Sequence, residues 1–242
     1  MLQNSRTPEN LMKALNSGHV AWVVPNWQAT ANGATVHAAE FFDLSHEVWS
    51  ACSAHIKDNT ITSTMYAIVW DALQSAYTDA MAANYFSCVR SLRFIFEFAV
   101  QAALLEIKYA IIADSQSTKI TNAFADSQFQ RFKFSMLSEL EHHGIVQSSE
   151  RSKLETLYGD LSVKGTHANP TYLSRLKLNV VAFHQFDIDL FRECKEMCRG
   201  VVDLLLVVLF KKYPLLAYDP ILQGWVSQLN LAMSHPRLHL VP

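Results

Sequence analysis

One stretch of this chain restricts its folding more than any other. From Asn84-Tyr-Phe-Ser-Cys-Val-Arg90-Ser-Leu-Arg93-Phe-Ile-Phe-Glu97 on to Lys108, nearly every residue is Ala, Val, Ile, Leu or Phe. At the roughly 100° per residue of an α-helix, the polar exceptions Arg90, Arg93, Glu97, Gln101 and Lys108 fall on one narrow line. A helix so apolar must be covered around most of its circumference. Its few charges therefore face either solvent or an internal polar groove. A second helix, expected from about Phe186 to Lys212 and ended by Pro214, repeats the pattern with Arg192, Lys195, Glu196, Arg199 and Asp203. Arg93–Glu97, Arg192–Glu196 and Arg199–Asp203 are i,i+4 pairs. They read either as solvated ion pairs worth a few tenths of a kcal/mol or as Arg–carboxylate pairs enclosed in a groove.

The rest of the sequence agrees with an all-α chain. Half of the 242 residues are hydrophobic and only 17% are charged, enough apolar content for a large core and too little polarity for disorder. Gly and Pro number seven each, which favours long helices over a turn-rich β-fold. Thr7-Pro8-Glu9 opens a short helix ended by Gly18, and Val20 to Val24 reads as a short strand. Trp22, Trp27 and Trp49 suggest that this N-terminal arm packs on the helical body. Helices are then expected over Glu40–Ile56, Thr60–Ala83, Asn84–Ala113 (after only a kink), within 118–143, from Ser148 to Gly165, from Phe186 to Lys212, and from Pro220 to Met233. His142 and His143 occupy a last helical turn before Gly144, where polar side chains and a glycine cap both suit a C-terminus. The expectation is one helical bundle over 1–242, with two long central helices. Residues 1–60 form an arm and first helices, 62–213 the core, and 214–242 a C-terminal helix and tail.

Charge and cysteine usage narrow the function classes. Twenty basic and 22 acidic residues, with no Lys/Arg run, argue against a strip that follows a phosphate backbone, though not against a local basic pocket. Cys52, Cys88, Cys194 and Cys198 read as reduced core residues; a single Cys-x3-Cys is a weak metal signal. The adjacent His142 and His143 point about 100° apart on a helix, and His184, His235 and His239 lack partners at ligand spacing. No Gly-rich phosphate loop, Gly-x-Ser-x-Gly elbow or His-Glu-x-x-His is present. Neither a metal nor another cofactor is expected. The N-terminus lacks a signal-peptide pattern, and Val201 to Phe210 is too short to cross a bilayer and contains Asp203. No membrane association is expected, and the chain reads as a soluble cytoplasmic protein.

A second constellation is Leu157-Tyr158-Gly-Asp-Leu161-Ser162-Val-Lys164-Gly-Thr-His167-Ala-Asn169, where a helix end presents Lys164, Thr166, His167 and Asn169. An imidazole beside a lysine can serve acid–base chemistry or hold a phosphate; a His that simply closes the helix on backbone groups is the alternative. Leu92-Arg93-x-x-x-Glu97, followed by Tyr158-x-x-Leu161-Ser162 and a His at the helix end, resembles the HEPN superfamily over about residues 62–213. The resemblance implies an all-α bundle that dimerises, with RNA or a nucleotide as possible ligand. It also implies, in many members, a metal-independent ribonuclease whose Arg and His meet across the dimer. Here the positions before His167 are Asp160, Leu161, Ser162 and Val163, with no Arg; Lys164 is the nearest cation.

Three functions follow as expectations. The first is a non-catalytic HEPN-like module binding RNA, a nucleotide or a protein, with Arg90, Arg93, Glu97, Tyr158, His167 and Asn169 around a polar groove. The second is a defence or toxin–antitoxin ribonuclease using His167 with Arg93 or Lys164. The third is a purely structural oligomer. A homodimer through helical faces is expected.

Overall fold

The computed structural model describes residues 49–56, 60–109, 131–165, 186–220 and 222–223. Within them the architecture is an all-α bundle: α1 (Trp49–Ser53), α2 (Ile61–Met81), α3 (Tyr85–Tyr109), α4 (Ser135–His142), α5 (Ser148–Gly165) and α6 (Ile188–Lys212), then a 3-10 turn over Pro214–Tyr218. No strand occurs among the described residues. The short N-terminal helix, the strand at Val20–Val24, Trp22, Trp27 and most of the final helix lie outside them.

Local chemistry sets the helix ends. Thr60 caps α2 through a reciprocal box: its Oγ1 accepts from Ser63 N at 3.1 Å, and Ser63 Oγ accepts from Thr60 N at 2.9 Å. The expected kink between α2 and α3 is a full break. Ala83 takes a left-handed φ of 60°, and Asn84 N donates to Asp79 O at 2.8 Å. A non-glycine residue in that region is uncommon and carries a local cost; here Ala83 is buried, so packing holds the turn. Gly144 ends α4 at φ 63°, and Ile145 N reaches back to Leu140 O at 2.9 Å, as in a Schellman closure. Asp187 caps α6 by accepting from Asp189 N and Leu190 N at 3.0 and 3.1 Å.

Contacts at the two ends give the topology. Tyr85 at the start of α3 donates to Asp187 O at 3.1 Å and accepts from Asp187 N at 2.9 Å, at the start of α6. At the other end Glu106 of α3 accepts from Lys212 Nζ at 2.7 Å and from Thr62 N, in the first turn of α2, at 3.0 Å. Helices α3 and α6 are therefore parallel neighbours, and α2 runs antiparallel to both. Helix α5 also runs antiparallel to them: its Gly165 sits against Val89, while its Leu157 faces Gly200. Trp49 of α1 stacks on Tyr66 of α2 at 4.5 Å, and Tyr66 Oη donates to Trp49 O.

Helix α3 is the hub, packed on α2, α4, α5 and α6. Leu92, Ile95, Phe96, Ala99 and Val100 are wholly buried, as its apolarity requires. Helix α6 is covered still more completely, with every residue from Val201 to Phe210 buried. Its polar line is split. Arg192 and Glu196 are exposed, whereas Lys195 is 4% exposed and Asp203 0%. Arg192 reaches Asp189 at 3.5 Å and Arg199 reaches Glu196 at 3.1 Å, both three residues apart along the helix. All four cysteines are buried and free. Among the described residues, no helix is long and apolar enough to cross a membrane.

Candidate functional site

The polar line of α3 meets two environments. Arg90 and Lys108 at its ends are exposed. In the middle, Arg93 and Glu97 retain side-chain exposures of 23% and 26%, because α5 lays Tyr158 over them. Arg93 Nε donates to Glu97 Oε1 at 2.6 Å, Arg93 Nη2 donates to Tyr158 Oη at 3.1 Å, and Tyr158 Oη donates to the same Glu97 Oε1 at 3.0 Å. The three groups close a triangle in which each of these hydrogens has an acceptor. Charge-assisted bonds of this kind are shorter and stronger than neutral ones.

The electrostatics follow from that geometry. Burial alone would lower the Arg93 guanidinium, but the Glu97 carboxylate and Tyr158 hydroxyl outweigh it and hold Arg93 above its usual range. The Tyr158 phenol is raised, first by burial and then by the Glu97 carboxylate, against the lowering effects of its hydrogen bond with Ser162 and of the Arg93 charge. Tyr158 thus stays a neutral hydroxyl, able to donate to Glu97 and accept from Arg93 at once.

Beside the triangle opens a pocket of about 460 Å³ lined by Arg93, Phe94, Glu97, Phe98, Gln101, Arg131, Phe132 and Tyr158. Small-molecule sites span roughly 300–1,000 Å³. Half of these lining residues are aromatic. Phe132 lies 4.3 Å from the Tyr158 ring, Phe134 lies 6.0 Å from it, and Phe94 stacks on Phe98 with centroids 5.7 Å apart and planes within 7°. The Arg93 guanidinium carbon sits 5.4 Å from the Tyr158 ring centroid, within cation–π range. Arg131 stands exposed at the rim. Two arginines against one carboxylate leave the described wall with a net positive charge of one.

Of the residues singled out from the sequence, Arg93, Glu97 and Tyr158 come together here. The Arg90 side chain is exposed, and Arg90 is not among the described lining residues; its backbone faces Gly165 instead. Lys164 pairs with Glu193 of α6 at 3.1 Å and is not among the residues lining this pocket. His167 and Asn169 lie outside the described residues. His142 and His143 are exposed with ring centroids 5.3 Å apart. No group of three metal-ligating side chains is assembled among the described residues. Sequence reasoning did not find Arg131 and Phe132, which precede α4, or Phe94 and Phe98 as site residues. Arg131-Phe-Lys-Phe134 carries a local basic–aromatic alternation, but only the fold sets it beside α3. Comparison with known proteins finds no family model that matches this chain, no matching curated protein and no matching solved structure.

Proposed function

We propose that the chain is a non-catalytic binding module that takes a nucleotide, free or as part of single-stranded RNA, in the pocket between α3, α5 and the segment before α4. One observation carries this reading: the Arg93–Glu97–Tyr158 triangle forms a hydrogen-bonded polar wall of a cavity otherwise lined by Phe94, Phe98, Gln101 and Phe132, with Arg131 at its mouth. Aromatic faces stack on bases of any identity, and a rim arginine suits a phosphate. A preformed hydrogen-bonded wall holds its groups without further ordering cost when a ligand enters. The sequence resemblance to the HEPN superfamily, carried by Leu92-Arg93-x-x-x-Glu97 and Tyr158-x-x-Leu161-Ser162, is in keeping with the same reading.

Engagement of the cations argues for binding rather than cleavage. Arg93 is held by Glu97 and Tyr158, and Lys164 by Glu193, so neither is poised as a substitute for the Arg missing before His167. The test is titration of the whole chain with nucleoside monophosphates and a short oligoribonucleotide, followed by chemical-shift changes or calorimetry. Saturable binding is expected. Phe132→Ala should weaken it about five- to 150-fold, the range for removal of one stacking partner. Arg131→Ala should weaken binding and reduce its salt dependence. Absence of binding at millimolar nucleotide would overturn the proposal. So would RNA cleavage in chelator that is lost in His167→Ala, in favour of the ribonuclease reading.

A further inference from the structure

We infer that the pocket selects guanine, with Glu97 as the residue that reads the base; the inference rests on the nucleotide reading above. Glu97 is bound in an unusual way for a partly exposed carboxylate. Its Oε1 takes both Arg93 Nε at 2.6 Å and Tyr158 Oη at 3.0 Å, which occupies the two lone-pair directions of that oxygen. Those two bonds come from different helices and fix the carboxylate against rotation. Oε2 is then the acceptor that Glu97 contributes to the pocket it lines.

An ionised carboxylate only accepts, so a base edge set against Oε2 must supply hydrogens. Guanine supplies two adjacent, nearly parallel ones, N1–H and N2–H, which one oxygen can accept together as a bifurcated pair. Adenine and cytosine each offer one amino group beside a ring nitrogen whose lone pair faces the carboxylate. Uracil offers one imide N–H flanked by two carbonyl oxygens, which the carboxylate repels. Bonds to a charged acceptor are about twice as strong as neutral ones, so losing one donor against Glu97 costs more than the same loss on a neutral wall. Phe94, which lines the same pocket and is half exposed, supplies an aromatic surface for the larger purine ring system. Arg131 at the rim suits the 5′-phosphate. No contiguous sequence motif announces this arrangement, because its parts lie on α3, on α5 and before α4.

The test is the affinity of the full chain for GMP, IMP, AMP, CMP and UMP, measured in one buffer. GMP should bind about tenfold or more tightly than AMP, CMP or UMP. IMP, which lacks only the N2 amino group, should fall between GMP and AMP. Glu97→Gln should weaken GMP about tenfold and bring the GMP-to-AMP ratio close to one, since an amide presents a donor as readily as an acceptor. The GMP–IMP comparison needs no substitution and stands even if Glu97→Gln fails to fold. Equal affinities for all five nucleotides would overturn the guanine assignment while leaving nucleotide binding intact. No binding of any of them would remove both.

Discussion

Tyr158 turns an ordinary helical ion pair into a site. By itself, Arg93–Glu97 is an i,i+4 pair on a partly solvated helix face, a class worth a few tenths of a kcal/mol. The tyrosine hydroxyl arrives from α5, donates to Glu97 and accepts from Arg93, and so couples two helices through one oxygen. Tyr158→Phe keeps the ring against Phe96 and Phe132 and removes only that oxygen. Water can still reach Arg93 and Glu97, so the loss should be near the ordinary net worth of a hydrogen bond, about 1 kcal/mol. Urea unfolding with an unchanged slope and a lowered midpoint is the expected result. A midpoint that does not move would mean that the hydroxyl bonds water as well as it bonds the pair.

At the scale of elements, two glycines in α5 should respond to alanine in opposite directions. At Gly159 no atom lies within 4 Å of the place a Cβ would take, so an alanine there meets no obstacle. Its helical position favours alanine by roughly 0.5–1 kcal/mol, and Gly159→Ala should stabilise the protein by about that much. At Gly165 the same Cβ would lie 3.0 Å from Val89 Cγ1 and 3.3 Å from the Val89 backbone carbon. The backbone of α3 cannot turn aside as a side chain can, so α5 must lift, and overpacking of this kind costs about 1–3 kcal/mol. Thermal melts of the two variants should move to opposite sides of the wild type; equal shifts would show that the α3–α5 contact is looser than its geometry. This contact also separates what the sequence makes legible from what it hides. Thr60, Gly144 and Pro214 mark helix ends by local rules, and the observed helices stop within a few residues of them. The periodicity of α3 identifies a polar line, yet it cannot say which helix covers it. Arg93 and Tyr158 are 65 residues apart, and Arg131 and Phe132 precede an eight-residue helix whose docking depends on tertiary packing.

At the scale of the whole molecule, a layer of buried thiols and phenols lies where α2, α3 and α6 meet. Cys198 Sγ lies 3.6 Å from Tyr77 Oη, and Cys194 Sγ lies 4.0 Å from Tyr85 O, with Cys88 beside Cys194. The sequence shows these residues as apolar-face cysteines; their convergence on one layer follows from α3 and α6 being parallel. Burial pushes the Cys198 thiol up to about 12, against the lowering effect of its bond with Tyr77. At the α1 end, burial and then the charge of Asp219 push Cys52 up to about 12. Cys88 is raised by its bond with Cys194 and by burial. The sign of the pH effect follows directly. Unfolded thiols ionise near pH 8.5, whereas the folded ones keep their protons, so above that pH the native state binds more protons than the unfolded state. The stability these thiols contribute is fully present below about pH 8.5 and is lost as pH rises toward about 12. Each thiol that stays protonated should cost about 1.4 kcal/mol per pH unit across that interval. Urea midpoints under reducing conditions should therefore hold steady to about pH 8 and fall progressively at pH 9 and 10. Cys198→Ala should make that decline shallower by one thiol's share, whatever it does to stability at neutral pH. A midpoint unchanged between pH 7.5 and 10 would show that these thiols ionise in the folded protein, and hence that water reaches the layer between α2, α3 and α6.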